Sequence, residues 1–98
     1  LSYKPYNIFI SNMNKLDSIK RKIKYRAGYR GIKEMDLLLT AFVEKYIDVL
    51  NYNELLDLQS ILEEEDDAIF KWYSNEKINH KIPKNKVSDL LKKFKLKS

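Results

Sequence analysis

Tyr25-Arg26-Ala27-Gly28-Tyr29-Arg30-Gly31-Ile32-Lys33-Glu34-Met35-Asp36 gathers both glycines of this 98-residue chain within four positions, beside two arginines and directly before the longest apolar-periodic segment. Glycine suits places where the backbone turns sharply or another molecule comes close, so this stretch reads as a turn between two helices. Upstream, from Asn14 or Asp17, Leu16, Ile19 and Ile23 recur at helical spacing among lysines and arginines. That pattern predicts a narrow apolar stripe on a basic helix ending near Gly28. Downstream, a helix from about Ile32 to Leu50 places Met35, Leu38, Leu39, Phe42, Tyr46 and Ile47 on one broad face, as a central core helix does.

Further along, Asn51 is a fitting N-cap with Glu54 in the capping-box position, opening a third helix with Leu55, Leu58, Ile61 and Leu62 as its stripe. Asp66 or Asp67 can cap a short fourth helix that buries Ile69, Phe70 and Tyr73 or Trp72. Between Asn75 and Asn85 the pattern lapses, and Ile82-Pro83 favours an extended or turn conformation. Val87, Leu90, Leu91 and Phe94 follow i, i+3, i+4, i+7 spacing in a fifth helix, with Asn85 as cap and lysines in its last turn. The expected architecture is all-α, a compact five-helix bundle: a poorly defined N-terminal segment over 1–13, then one helical domain over 14–96.

Length and composition bound what such a domain can do. A chain of this size buries a modest core but hardly a deep cleft around a large cofactor of its own. No cysteine is present, which removes disulfides, thiolate catalysis and cysteine-ligated metal, and fits a reducing compartment. No run of 18 apolar residues occurs, and the first residues lack both an initiator methionine and the basic-then-apolar order of a secretory signal.

Charge is segregated along the chain. Residues 1–32 carry eight Lys/Arg and one acid, residues 33–70 two Lys and eleven acids, and residues 71–98 nine Lys and two acids. This basic-acidic-basic order argues against a uniformly basic nucleic-acid binder, because the central block repels phosphate. It suits blocks that complement one another in the fold or dock a partner of mixed sign.

Most conspicuous residues have a plain reading. Phe42, Tyr46, Phe70, Trp72 and Tyr73 read as core, with Trp72 also suited to a half-exposed partner anchor. His80, the one histidine, stands among lysines without a second ligand and is neither catalytic nor metal-binding. The run Glu63-Glu64-Glu65-Asp66-Asp67 lacks the alternation and central glycine of a calcium loop and reads as a solvated helix terminus. The lysines from Lys92 to Lys97 read as a charged helix end. No phosphate-cradling glycine loop and no Ser/His/Asp pattern is present.

The arginine-glycine turn resists the plain reading because distinct groups crowd there. Arg30 offers a planar five-donor fork suited to carboxylates, phosphates or carbonyls, and Gly31 removes the side chain that would hold a partner's backbone away. Glu34 and Asp36 fall in the first turn of the next helix, where the dipole favours them and where Glu34 can orient Arg30. These are properties of a rigid docking surface.

Tyr25-Arg26-Ala27-x-x-Arg30-Gly31-x-x-Glu34-x-Asp36-Leu37-Leu38-Leu39, followed by Phe42, resembles the signature of the SdhE family of FAD assembly factors, bacterial and mitochondrial proteins that promote covalent flavinylation of succinate dehydrogenase. The resemblance continues through Leu62-Glu63, Asp66, Ile69-Phe70 and Trp72, over roughly residues 20–74. It implies a five-helix bundle acting as an assembly chaperone and not as an enzyme. The factor binds the flavoprotein subunit before the iron–sulfur subunit joins, and the subunit's own chemistry forms the histidine–flavin bond. By carry-over, Arg30 and Gly31 are the central partner-binding residues, Glu34 and Asp36 support them, and Arg26 and Trp72 complete the set. Gly28 and Tyr29 occupy variable positions of the signature.

The resemblance further implies no catalytic group, no metal and no cofactor of the chain's own, with FAD acted on only in the partner. The partner is the flavoprotein subunit of succinate dehydrogenase, with fumarate reductase as a second candidate client. No nucleic acid and no membrane insertion enter this reading, and a monomer is expected. Localisation follows origin: cytoplasmic in a bacterium, mitochondrial matrix in a eukaryote. The rival reading is a small basic helical nucleic-acid-binding protein using Lys20, Arg21, Lys22, Lys24 and Arg26 on phosphates. A small enzyme is the weaker rival, since Glu34, Asp36 and the tyrosines form no recognisable catalytic pairing.

Overall fold

The buried face of the second helix organises the molecule. In the computed structural model, which describes residues 6–77 and 80–96 and the side chains among them from Lys15 onward, α2 spans Lys33–Tyr46 and buries Met35, Leu38, Leu39, Phe42 and Val43. Five of the six residues expected on this face are buried, and Tyr46 packs half-buried against the same core. The helix ends four residues before the expected Leu50; Ile47 and Leu50 close the core from the turn that follows.

Helix α1 runs Tyr6–Gly28, so it begins well upstream of the Asn14 or Asp17 expected from its apolar stripe. It lays Ile19, Ile23 and Ala27 into the core, a seam one residue wide at i, i+4, i+8. Leu16, expected in the same stripe, stands at the rim and stays partly exposed. Helix α1 packs against α2 and against α3, Tyr52–Leu62. Asn51 and Glu54 form a reciprocal capping box at the start of α3, as expected: the Glu54 amide donates to Asn51 Oδ1 at 2.8 Å and the Asn51 amide to Glu54 Oε1 at 2.9 Å. The Asn51 amide, joined by Lys86 from the last helix, holds the Glu54 carboxyl below its ordinary range.

Helix α4, Asp66–Tyr73, buries Ile69 and Trp72. Phe70, expected in the core, is 38 % exposed, because a step of one residue from Ile69 turns it about 100° around the helix and away from the Ile69–Trp72–Tyr73 face. Neither Asp66 nor Asp67 caps α4; Glu65 occupies that position without a side-chain hydrogen bond.

Helix α5, Lys86–Lys93, packs on α3 and seats Val87 and Leu91 in the core. Asn85 caps it in a second box closed by Ser88, which explains why this serine is buried without being orphaned. The connection before α5 is not merely a spacer, since Ile82 is buried and helps fill the core. After α5, Phe94 sets its ring edge-on to Phe42 at 5.4 Å between centroids, and the Tyr73 hydroxyl donates to the Phe94 carbonyl. All five described elements are helices, which makes the bundle all-α.

Candidate functional site

Helix ends expose unpaired backbone groups, with partial negative charge at carbonyl ends and partial positive charge at amide ends. Four such ends converge beside the α1–α2 turn. Arg30 fills the negative side of this junction. Its Nη1 donates to the Arg26 carbonyl in the last turn of α1 at 2.9 Å and to the Leu62 carbonyl at the end of α3, also at 2.9 Å. Its Nη2 donates to the Glu64 carbonyl in the α3–α4 turn at 2.8 Å, and its Nε to Asp66 Oδ1.

Asp66 fills the positive side. It stands in the first turn of α4, and its second oxygen accepts the Ile32 amide at the start of α2 at 3.0 Å. One ion pair therefore ties together the ends of α1 and α3 and the starts of α2 and α4. Both side chains are largely enclosed, 8 % exposed for Arg30 and 14 % for Asp66. Thr40 of α2 reinforces the junction by donating to the Ala27 carbonyl at 3.2 Å.

Burial alone pushes the Asp66 carboxyl up, but the Ile32 amide, the Arg30 guanidinium and the Gly31 amide outweigh it and hold the group below its ordinary value of 3.8. A carboxyl depressed in the folded state adds stability at pH values above its unfolded value, and that contribution disappears as pH falls through the folded one. Asp66→Asn is therefore expected to destabilise the protein strongly near neutral pH and much less in acid, where wild type has lost the same charge. Urea unfolding of both proteins at the two pH values measures this; an equal difference at both would contradict it.

Gly31 sits on top of the clamp with its backbone exposed. Neither glycine adopts a positive φ, so the turn does not require glycine for its conformation. A Cβ built on Gly31 would meet Asp66 Oδ2 at 3.7 Å, and one on Gly28 would meet Thr40 Oγ1 at 3.9 Å, both ordinary contacts. What glycine at position 31 leaves open is therefore outward space.

The remaining expected site residues separate into two groups. Arg26, Glu34 and Asp36 stand with Arg30 and Gly31 around the turn: Arg26 and Glu34 are exposed, and Asp36 is half-buried with its Oδ1 3.3 Å from Thr40 Oγ1, an alternative acceptor to the Ala27 carbonyl for that hydroxyl. The partner that orients Arg30 is Asp66, from α4, and not Glu34. The Arg30 fork, read as an exposed hand for a partner, faces inward. Trp72 stands apart in the core, 8 % exposed, with Lys92 Nζ over its ring at 4.4 Å and the same ammonium donating to its carbonyl. Helical spacing from Ile69 already places Trp72 on the inner face of α4.

Two surface residues carry a signal that the glycines overshadowed. Tyr25 and Tyr29, spaced i, i+4 on α1 and the bend after it, are 65 % and 76 % exposed and lie with ring centroids 4.7 Å apart. Among the described residues no helix is long and apolar enough to cross a membrane.

The family model described as "Flavinator of succinate dehydrogenase" matches residues 21–95, which include every element from the turn to the end of α5. Of the relatives, a protein of Acetobacter pasteurianus named "FAD assembly factor SdhE" is 32% identical over 75 residues, covering 76% of this chain and 66% of that protein. A protein of Penicillium rubens named "Succinate dehydrogenase assembly factor 2, mitochondrial" is 37% identical over 68 residues, covering 66% of this chain and 22% of that protein. One of the same name from Saccharomyces cerevisiae is 40% identical over 57 residues, 58% of this chain and 35% of that protein. The chain thus spans from about a fifth to about two thirds of the length of these relatives. No solved structure matches it. With three quarters of its length matched by one family model and an arginine-glycine turn clamped by Arg30 and Asp66 inside that match, the chain belongs to the family of flavinators of succinate dehydrogenase.

Proposed function

We propose that the chain is an assembly factor that binds the flavoprotein subunit of succinate dehydrogenase and promotes covalent attachment of FAD to it, contributing binding energy and no reactive group. Covalent flavinylation requires the flavin and its acceptor side chain to be held in a near-attack arrangement. Selecting the competent conformation of the client raises the rate without new chemistry. The observation that carries the docking part of this reading is Gly31: exposed, free of any conformational need for glycine, and fixed on a largely enclosed ion pair that joins four helix ends. Such a position offers a partner's backbone close approach to a surface that does not yield.

In this reading Arg30 and Asp66 are positioning residues that hold the platform, Gly31 is its contact point, and Arg26, Glu34 and Asp36 are the polar rim. Trp72 supports α4 from within. FAD is handled in the client, the factor acts as a monomer, and fumarate reductase is a second client. Action takes place in the cytoplasm of a bacterium or the matrix of a mitochondrion, where apo flavoprotein is made or delivered.

Mixing the protein with apo flavoprotein subunit and FAD, then reading covalent flavin by fluorescence in a denaturing gel, tests the proposal. Faster or more complete flavin attachment than in the subunit alone is expected; no increase would sink it.

A further inference from the structure

Beside the arginine-glycine turn runs a groove of about 810 Å³ between α1 and α3. Its α1 wall is built from two parallel ridges. Ser18, Lys22 and Arg26 follow one another at i, i+4, i+8 on the inner ridge, and Arg21, Tyr25 and Tyr29 do so on the outer. Gln59 and Glu63 of the α3 side form the opposite wall.

The charge of this groove is unanswered by the fold. The described ion pairs of the chain use Lys20, Arg30, Lys71, Lys84 and Lys86. Among the described residues, Arg21, Lys22 and Arg26 take part in none. Three cations therefore face one carboxylate, Glu63, across a channel whose outer lip is a pair of exposed tyrosines.

Spacing narrows the occupant. Lys22 and Arg26 rise about 6 Å apart along the helix axis. Alternate side chains of an extended peptide are about 6.7 Å apart on one face. Carboxylates at every second position of an extended segment therefore fall opposite Lys22 and Arg26 in turn, with the backbone of the segment alongside the exposed Tyr25–Tyr29 lip.

We infer that the α1–α3 groove is a docking channel for an extended acidic segment of the protein partner, with Lys22 and Arg26 reading alternate carboxylates and the Tyr25–Tyr29 pair flanking the segment. This inference rests on the flavoprotein reading above, and it extends the contact surface from the turn along α1. Charge at the edge of an interface acts mainly on association rate and salt response, which supplies the test.

The double variant Lys22→Glu/Arg26→Glu changes two exposed side chains, and circular dichroism checks that it remains helical. Calorimetric titration of wild type and variant with apo flavoprotein subunit is carried out at low salt and at roughly tenfold higher salt. Wild-type affinity is expected to fall as salt rises. The variant is expected to bind about tenfold more weakly at low salt and to respond little to salt. A variant that binds as tightly as wild type with the same salt response overturns the channel and the place of Arg26 in the rim while leaving the rest of the flavoprotein reading intact, whereas a wild type that does not bind the subunit overturns both. A photoreactive phenylalanine analogue at position 25 identifies the occupant: a cross-linked peptide with alternating acidic residues is expected, and one without acidic residues overturns the inference. So does wild-type binding to single-stranded RNA that is stronger than binding to the subunit and is lost in the double variant.

Discussion

Arg30→Ala is expected to be the most destabilising substitution in the α1–α2 turn, lowering stability by about 3 kcal/mol or more. The guanidinium makes four internal hydrogen bonds, three of them to carbonyls that no helix satisfies, and it neutralises a largely enclosed carboxylate. Removing one partner of an enclosed ion pair leaves the other charged and poorly solvated, and this typically costs about 3–5 kcal/mol. In a domain of this size each kcal/mol moves the melting temperature by about 4–8 °C, so a fall of more than roughly 12 °C should appear in thermal unfolding. Arg30→Lys restores the charge but can reach only part of the donor geometry, and should recover part of the loss. A variant lacking Arg30 that melts with wild type would mean that the clamp contributes nothing. Loss of client binding by Arg30→Ala is expected too, but as a consequence of a collapsed platform.

Gly31→Arg is expected to give the opposite pattern. The backbone at this position is within reach of any residue, and the first added carbon makes only ordinary contact with Asp66. Helical circular dichroism and melting temperature should therefore stay close to wild type. Binding to the apo flavoprotein subunit, and with it stimulation of covalent flavin attachment, should fall by more than about a hundredfold, since a long charged side chain at a close backbone contact costs several kcal/mol. Gly31→Ala should fall between the two. If Gly31→Arg binds normally, the partner does not approach this turn. If it unfolds, the space above the clamp is not open. Together the two substitutions separate holding the platform from meeting the partner, a distinction that activity data on either one would blur.

Much of this arrangement was legible in the residues. Apolar periodicity identified all five helices, because a core face must repeat every three or four residues whatever packs against it. The caps at Asn51 and Asn85 were legible because their partners lie three residues away. Where the reading fell short, the deciding contact was distant in sequence. Asp66 looked like one of five surface acids because its role depends on Arg30, 36 residues earlier. Local spacing held more than was taken from it in one place: Phe70 was counted in the core of α4 with Trp72 only as an alternative to Tyr73, although Trp72 and Tyr73 both share the inner face with Ile69 and Phe70 does not. The glycines were singled out for two alternative reasons, a sharp turn or close approach, and the backbone angles remove the first, since neither glycine has a positive φ.

The clamp also has a place in time. Its bonds span 32 to 36 residues between the α1–α2 turn and the segment from Leu62 to Asp66, so their geometry requires α1, α3 and α4 to stand in register, and late formation in folding is the expected order. Contacts of that kind follow the main barrier to folding, because chain closure must come before they add anything. A residue engaged so late governs how long the native fold lasts and has little say in how fast it is reached. In stopped-flow measurements, loss of Arg30 should steepen escape from the native state while refolding proceeds nearly unchanged. The arginine beneath the Gly31 turn then acts as a latch on the lifetime of the folded junction.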